Sequence, residues 1–159
     1  MKLYFGFGAN RDAAMIKAIT GRSALHLPAS LDGWHLCVQQ LNDIPKKVQR
    51  LLRRAWGDSF VSYGIVKQPA VRVTGTLWLL TDAQHRAIHS WEFIGSWSHN
   101  VQVKAGINLF GLNFLVDAET EHLARQKVTL VDGQHYQTYL VPKSHILHIA
   151  EGVRLAATP

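Results

Sequence analysis

The order of structural signals along these 159 residues predicts an α+β fold. Three observations carry that prediction. Runs of β-branched and aromatic residues cluster, with helical segments interspersed rather than in the strict alternation of a doubly wound parallel sheet. One of them, Val71–Leu80 (VRVTGTLWLL), is the strongest strand signal in the chain. No internal repeat, low-complexity tract or Pro/Gly/Ser linker divides the sequence, so residues 1–159 are expected to form one domain.

Taken in order, Lys2–Phe7 is an apolar and aromatic run that stops at Gly8, a strand leading into a turn. Arg11–Thr20 carries Ala14, Ile16, Ala18 and Ile19 at helical spacing, with Gly21 placed as the stop. Gly33–Gln40 (GWHLCVQQ) alternates as a strand does. PKKVQRLLRRAW reads as a short helix opened by Asp43 and Pro45, with Val48, Leu51, Leu52 and Ala55 on its apolar side. Beyond Val71–Leu80, Asp82 opens a helix (DAQHRAIHSWEFI) that closes near Gly95. Ser98–Lys104, Leu109–Val116 and His135–Val141 read as further strands, and Asp132-Gly133 as a hairpin turn. A short helix or turn is expected after Pro142, ending near Gly152.

Composition excludes several classes. At 47% hydrophobic and 18% charged, the chain is globular rather than disordered. A single cysteine, Cys37, excludes an internal disulfide framework and a Cys-rich zinc module. The apolar stretches fall far short of the roughly 20 residues a membrane-spanning helix needs. The start, MKLYFGFGAN, is too short and too Gly-interrupted for a signal peptide, so a soluble, cytoplasmic protein is expected. The net charge of +6 is concentrated: residues 46–72 hold seven Lys/Arg (Lys46, Lys47, Arg50, Arg53, Arg54, Lys67, Arg72) against Asp58 alone. Such a segment suits phosphates or an acidic partner, but the plainer reading is a solvated helix face docked by Val48, Leu51 and Leu52.

Gly6-Phe7-Gly8-Ala9-Asn10 is the first candidate site. A Gly-rich turn from strand to helix presents backbone N–H groups to an anion or a developing oxyanion. It is not a dinucleotide fingerprint, because Ala9, Asn10 and Arg11 follow Gly8 where a third glycine would be required. Histidines form the second candidate. His85, His89 and Glu92 lie at i, i+4 and i+7 on one helical face, but HRAIH lacks the internal Glu of a zincin and no further ligand motif is evident. No metal and no cofactor are therefore assigned. Cys37 reads as a buried small hydrophobe, Trp34, Trp78 and Trp91 as core, and His145 and His148 as surface or capping residues. Tyr136 and Tyr139 suit either a pocket or packing.

Four segments in sequence order, YFGFGANR, SLDGWHL, VTGTLWLL and IHSWEFIG, resemble the gamma-glutamylcyclotransferase-like superfamily, including its gamma-glutamylamine cyclotransferase-type members. Those proteins open with a Tyr-x-x-Tyr-Gly-Ser-Asn loop, continue through Leu-x-Gly-Tyr and Gly-Val-x-Tyr-x-Leu strands, and carry a helix ending in Leu-Asp-x-Tyr-Glu-Gly. A fainter echo follows in HYQTYLVPKSHILHIAEG. The resemblance implies a small mixed β-barrel flanked by short helices. It also implies Glu92 as the catalytic glutamate, and a substrate-binding loop of Tyr4, Phe7, Gly8, Ala9 and Asn10. Phe7 stands where the family has its second loop tyrosine, Ala9 where it has serine, and Trp97-Ser98-His99 where it has a Tyr-x-Arg pair.

The activity so implied is cyclisation of a γ-glutamyl amine or amide to 5-oxoproline, with a small-molecule substrate and no cofactor. One carboxylate suffices to take a proton from the substrate's α-amine and return it to the leaving amine. Glu92 lies between Trp91 and Phe93, and an apolar pocket would raise its pKa toward the working range. It is the only acidic residue between Asp82 and Asp117, so no neighbour in sequence competes for the role. A non-catalytic binding module on the same fold is the alternative, and nucleic-acid binding through residues 46–72 ranks last; no membrane partner is expected.

Overall fold

The computed structural model describes residues 1–57, 61–92, 94–95, 97–122 and 128–131. Six strands and three α-helices are present among them: β1 (Lys2–Gly6), α1 (Ala13–Thr20), β2 (Leu25–Gln40), α2 (Lys46–Trp56), β3 (Val61–Leu80), α3 (Asp82–Trp91), β4 (His99–Leu109), β5 (Leu112–His122) and β6 (Thr129–Leu130). The expected segments at His135–Val141 and beyond Pro142, the turn at Asp132-Gly133, and Tyr136, Tyr139, His145 and His148 lie outside the described residues.

The strands form one mixed sheet in the order β3-β1-β5-β4-β2-β6, and β2 also pairs with β3, so the sheet curls back on itself as a partial ring. β2 and β3 make its long antiparallel wall. β4 and β5 form a hairpin from His99↔His122 to Leu109↔Leu112. β1 lies antiparallel to the end of β3 from Lys2↔Leu80 to Gly6↔Thr76, whereas two links are thin: β1 meets β5 in parallel at Tyr4↔Glu119, and β2 meets β4 at Ser30↔Gly106. The barrel expected from the resemblance is thus an α+β sheet ring that is only partly closed.

Sequence punctuation misled the strand boundaries in an instructive way. Gly33–Gln40 is the second half of β2, and Val71–Leu80 the second half of β3. The expected strands begin at Gly33 and Val71; the wall instead continues through Gly33 and Pro69-Ala70 in one irregularity. The register jumps from Asp32↔Arg72 to Trp34↔Lys67, with Gly33 at φ 79° and Ala70 at φ 63°. Likewise β4 runs on to Leu109 and β5 from Leu112 to His122, because the hairpin turns at Phe110-Gly111, both with positive φ. β6 is a short strand on Cys37 and Val38 that carried no sequence signal.

The helices are set by local chemistry. α1 starts at Ala13 rather than Arg11, because residues 9–11 form a separate 3-10 turn; Asp12 then caps it by accepting from the Ala14 N–H at 2.7 Å. Gly21, in the left-handed conformation, closes it. α3 begins one residue after Thr81, whose hydroxyl accepts from the Gln84 N–H while the Gln84 side chain accepts from the Thr81 N–H. α2 follows Pro45 and docks through buried Leu52, with Val48 and Trp56 alongside; Leu51, expected in the docking face, is exposed instead.

Alternation along the strands separates two cores. Phe5, Leu31, Ile65, Val73, Leu77 and Ala105 fill the inside of the ring. Tyr4, Trp78 and Leu80 face outward and meet Ile16, Ile19, Ile88 and Trp91 from α1 and α3. Trp34, expected in the core, is only half-buried against the ring, whereas Trp97 joins Ile44 and Leu52 in a small third cluster. Cys37 is fully buried, and burial pushes its thiol up to about 11, so it is an inert packing residue as expected.

Candidate active site

The turn after β1 is tight because two glycines allow it to be. A Cβ on Gly6 would lie 2.3 Å from the Asn10 carbonyl oxygen, and one on Gly8 would lie 3.0 Å from the Tyr63 ring. Gly8 also has φ 62° and ψ −139°, a backbone region that side chains disfavour. The 3-10 turn that follows carries Asn10 inward, where it is 6% exposed. Two buried donors hold this turn from beneath. The Trp78 indole N–H donates to the Asn10 carbonyl at 2.8 Å, and the Thr76 hydroxyl donates to the Arg11 carbonyl at 2.9 Å.

Asn10 is the hub of four side chains. Its Nδ2 donates to Glu92 Oε1 at 2.6 Å and to the Tyr4 hydroxyl at 2.8 Å, with Glu121 Oε1 at 3.4 Å. The Tyr4 hydroxyl in turn donates to Glu121 Oε1. Asn10 Oδ1 is buried and has no hydrogen-bond partner among the described residues. Three elements deliver these groups: β1 brings Tyr4, the end of α3 brings Glu92, and β5 brings Glu121. Glu92 is the residue that terminates α3; its N–H bonds the Ile88 carbonyl and its carbonyl accepts from the Ser98 hydroxyl at 2.8 Å, which fixes its position.

Two carboxylates and a phenol in one dry place perturb one another. Burial raises the Glu92 pKa well above its usual range, the Glu121 charge raises it further, and the Asn10 hydrogen bond offsets part of this. Burial also raises Glu121, against the opposing hydrogen bonds of Tyr4, its own backbone, Asn10 and Thr120. Burial, then the charges of Glu121 and Glu92, keep Tyr4 protonated far above its ordinary value. Glu121 holds more donors, so it is the better-stabilised carboxylate of the pair, and Glu92 is the one poised to hold or release a proton.

Of the residues the sequence suggested, the fold brings Tyr4 and Asn10 to Glu92. It does not bring the side chains of Phe7 and Ala9. Phe7 packs inside the ring and Ala9 against the helix-side core, so these two contribute backbone only, as does Gly8. Glu121 was missed. No acidic residue neighbours Glu92 in sequence, yet Glu121 adjoins it in space. The available signal was strand parity: extending the strand beyond Val116 to His122 places Glu119 and Glu121 on one face.

The histidine face also resolves differently. His85 and His89 do face the same way, with ring centroids 3.9 Å apart, but Glu92 is turned away to Asn10. Glu119 takes its place: His85 Nε2 lies 2.5 Å from Glu119 Oε2. His85, His89 and Glu119 each offer one donor atom, and the three lie within 4.8 Å of one another. Along the basic helix, Lys46, Lys47, Arg50, Arg53 and Arg54 are all exposed, the arrangement of a solvated face.

No protein-family profile and no curated sequence matches the chain. Solved structures do. A structure described as gamma-glutamyl cyclotransferase superposes with a TM-score of 0.65 at 15% identity, covering 99% of this chain and 81% of that one. The Homo sapiens protein loc79017 gives 0.62 at 16% identity, with the same coverage. At3g28950.1 from Arabidopsis thaliana gives 0.58 at 18% identity, covering 98% and 81%. Among the described residues, no helix is long and apolar enough to cross a membrane.

Proposed function

We propose that this chain, which has the gamma-glutamylcyclotransferase-like fold, is an enzyme that cyclises a γ-glutamyl amine or amide to 5-oxoproline and releases the amine. The observation that carries this reading is the buried Glu92–Asn10–Glu121 constellation, in which one carboxyl is tuned to exchange a proton beside an unsatisfied acceptor.

In the proposed reaction the substrate's α-ammonium enters against Glu92 and Asn10 Oδ1. Ionised Glu92 takes one proton from it. The freed amine attacks the γ-carbonyl carbon, forming the ring C–N bond and placing the carbonyl electron pair on oxygen as an oxyanion. The Phe7–Asn10 backbone is the candidate donor set for that oxyanion. Glu92 returns its proton to the departing nitrogen; as the old C–N bond breaks and the carbonyl reforms, Glu92 takes the second proton from the ring nitrogen and passes it to the released amine, which leaves as an ammonium. No covalent enzyme intermediate is needed, because the nucleophile is already tethered to its target. Hydrogen bonds from Tyr4 and Asn10 oppose the rise that burial gives Glu121, and the Glu121 charge raises the basicity of Glu92.

The second reading, a binding module on the same fold, is favoured by one observation: neither Phe7 nor Ala9 places a hydroxyl on the loop. Mass spectrometry separates the two. A panel of γ-glutamyl amines is incubated with the wild type and Glu92→Gln, and 5-oxoproline is measured. Release by the wild type alone supports the enzyme and shows which amine leaves. Binding of panel members without release supports the module, and equal release by both proteins removes Glu92 from the mechanism.

A further inference from the structure

We propose that His85, His89 and Glu119 form a binding site for a single divalent transition-metal ion of the zinc class, on the seam between α3 and β5. The three side chains supply two imidazole nitrogens and one carboxylate oxygen, the donor set zinc accepts when a fourth position is left to water or another ligand. The histidines are four residues apart on α3, so both imidazoles leave the helix on one face. Glu119 reaches them from β5, across the sheet–helix seam, and this makes the cluster a tertiary site rather than a sequence motif.

The geometry is close to what an ion needs. Donor atoms of a tetrahedral zinc with bonds of about 2.0–2.2 Å are separated by about 3.3–3.6 Å. The three donors here lie within 4.8 Å of one another; His85 Nε2 and Glu119 Oε2, at 2.5 Å, share a proton that an ion would displace, and the pair must open by roughly an ångström, within reach of an imidazole rotation. Two features support the ligand set from outside. Gln102 Nε2 donates to Glu119 Oε1 at 3.2 Å, and Lys2 Nζ lies 3.9 Å from the same oxygen. Oε1 is thereby occupied and orients the carboxylate, leaving Oε2 toward the histidines, the arrangement in which outer hydrogen bonds fix a metal ligand. The side chains of His85 and Glu119 are 12% and 14% exposed, enough for an ion to enter without opening the fold.

This site is distinct from the Glu92 constellation. Glu119 and Glu121 share the outward face of β5; His85 on α3 reaches Glu119, whereas Glu92 at the end of α3 turns to Asn10, beside Glu121. The seam therefore holds two polar clusters in series, His85–His89–Glu119 and Glu92–Asn10–Glu121. An ion in the first ties α3 to β5 directly beside the second. Because the site is read from metal binding, its failure and the failure of the proposed reaction are separate results.

The test uses the full chain without an affinity tag. Zinc chloride is titrated calorimetrically near neutral pH into the wild type, Glu119→Gln, His89→Ala and, as a distant-histidine control, His26→Ala. One equivalent of zinc is expected to bind the wild type and His26→Ala with the same affinity. Glu119→Gln and His89→Ala are each expected to lose at least about tenfold. Cobalt(II) added to the wild type is expected to give the intense visible absorption of a four-coordinate site, and zinc to raise the thermal unfolding midpoint. No saturable binding by the wild type overturns the proposal. So does binding that neither ligand variant weakens, or that His26→Ala weakens equally. Should a ligand variant fail to fold, the wild-type cobalt spectrum and selective zinc perturbation of the His85 and His89 ring signals in NMR decide it.

Discussion

The inside and the outside of the sheet ring are built from the same strands but to opposite specifications. Inside, Phe5, Leu31, Ile65, Val103, Ala105 and Ala118 form a continuous apolar core. Outside, along the seam with α3, Tyr4, His85, Glu92, Glu119 and Glu121 crowd together, three of them with pKa values forced upward. β5 displays both characters at adjacent residues, with Ala118 facing in and Glu119 and Glu121 facing out. A close-packed apolar interior stabilises the fold, whereas burying paired carboxyls opposes it. The seam thus carries a cost to stability that the apolar interior does not.

Substitutions on the two sides should dissociate activity from stability. Glu92→Gln is expected to lower turnover by about 10²- to 10⁴-fold, the usual worth of a positioned acid/base. The same change should not lower stability. The folded-state pKa of Glu92 lies above its unfolded value near 4.3, so its contribution is most favourable below that value and is lost as pH rises through the folded pKa. Gln mimics the protonated acid and removes that decline. Thermal melts from pH 5 to pH 8 should show the variant gaining on the wild type as pH increases; a uniform loss would show that the carboxylate is structural.

Ile65→Ala is the mirror experiment. Ile65 is fully buried inside the ring, and its truncation should cost about 2–5 kcal/mol in denaturant unfolding. The folded fraction should retain its kcat/KM, because no seam residue is disturbed. A loss of kcat/KM larger than the loss of folded protein would mean that the two sides are mechanically coupled.

Asn10→Ala sharpens the comparison within the seam. It removes the hydrogen bond that holds the Glu92 pKa down, so the acidic limb of the kcat/KM–pH profile should move to higher pH. At a fixed pH on that limb the loss should be roughly tenfold or more, in line with a charge-assisted hydrogen bond of about 1.5–3 kcal/mol. An unmoved limb would detach Asn10 from the base.

The smallest effect is expected far from both sides. Phe110 sits in the β4–β5 turn at φ 53° with its ring fully exposed, a conformation that asparagine tolerates better. Phe110→Asn should stabilise by up to about 1 kcal/mol and leave catalysis alone, as paired melts and assays would show.

What was legible in the sequence was what local chemistry dictates. The run Lys2–Gly6, the glycine turn with Asn10, the helix opening at Asp82, and Glu92 at its end all follow from β-propensity, φ freedom, capping and helical period. Those signals placed the elements that carry Tyr4, Asn10 and Glu92; the resemblance to the gamma-glutamylcyclotransferase-like superfamily is what singled the three out as candidate site residues. The strand lengths were not legible, because Gly33, Pro69 and Ala70 are breakers in isolation and a single tolerated irregularity within a long paired wall. Nor were Phe7 and Ala9, whose side chains the two cores claimed.

Tertiary structure alone decided who meets whom. Tyr4 finds Glu121 across 117 positions, Asn10 finds Glu92 across 82, and His85 finds Glu119 across 34. No local pattern encodes such pairs, because they depend on which strands neighbour one another and in what register. The sequence by itself determined a tight glycine turn carrying Asn10 and a helix that ends in glutamate; the parallel contact of β1 with β5 brought Glu121 to them and made a buried pair of carboxyls. The physical reason is that a propensity acts over a few residues, whereas a shifted pKa needs the surroundings that only the assembled sheet and helices supply.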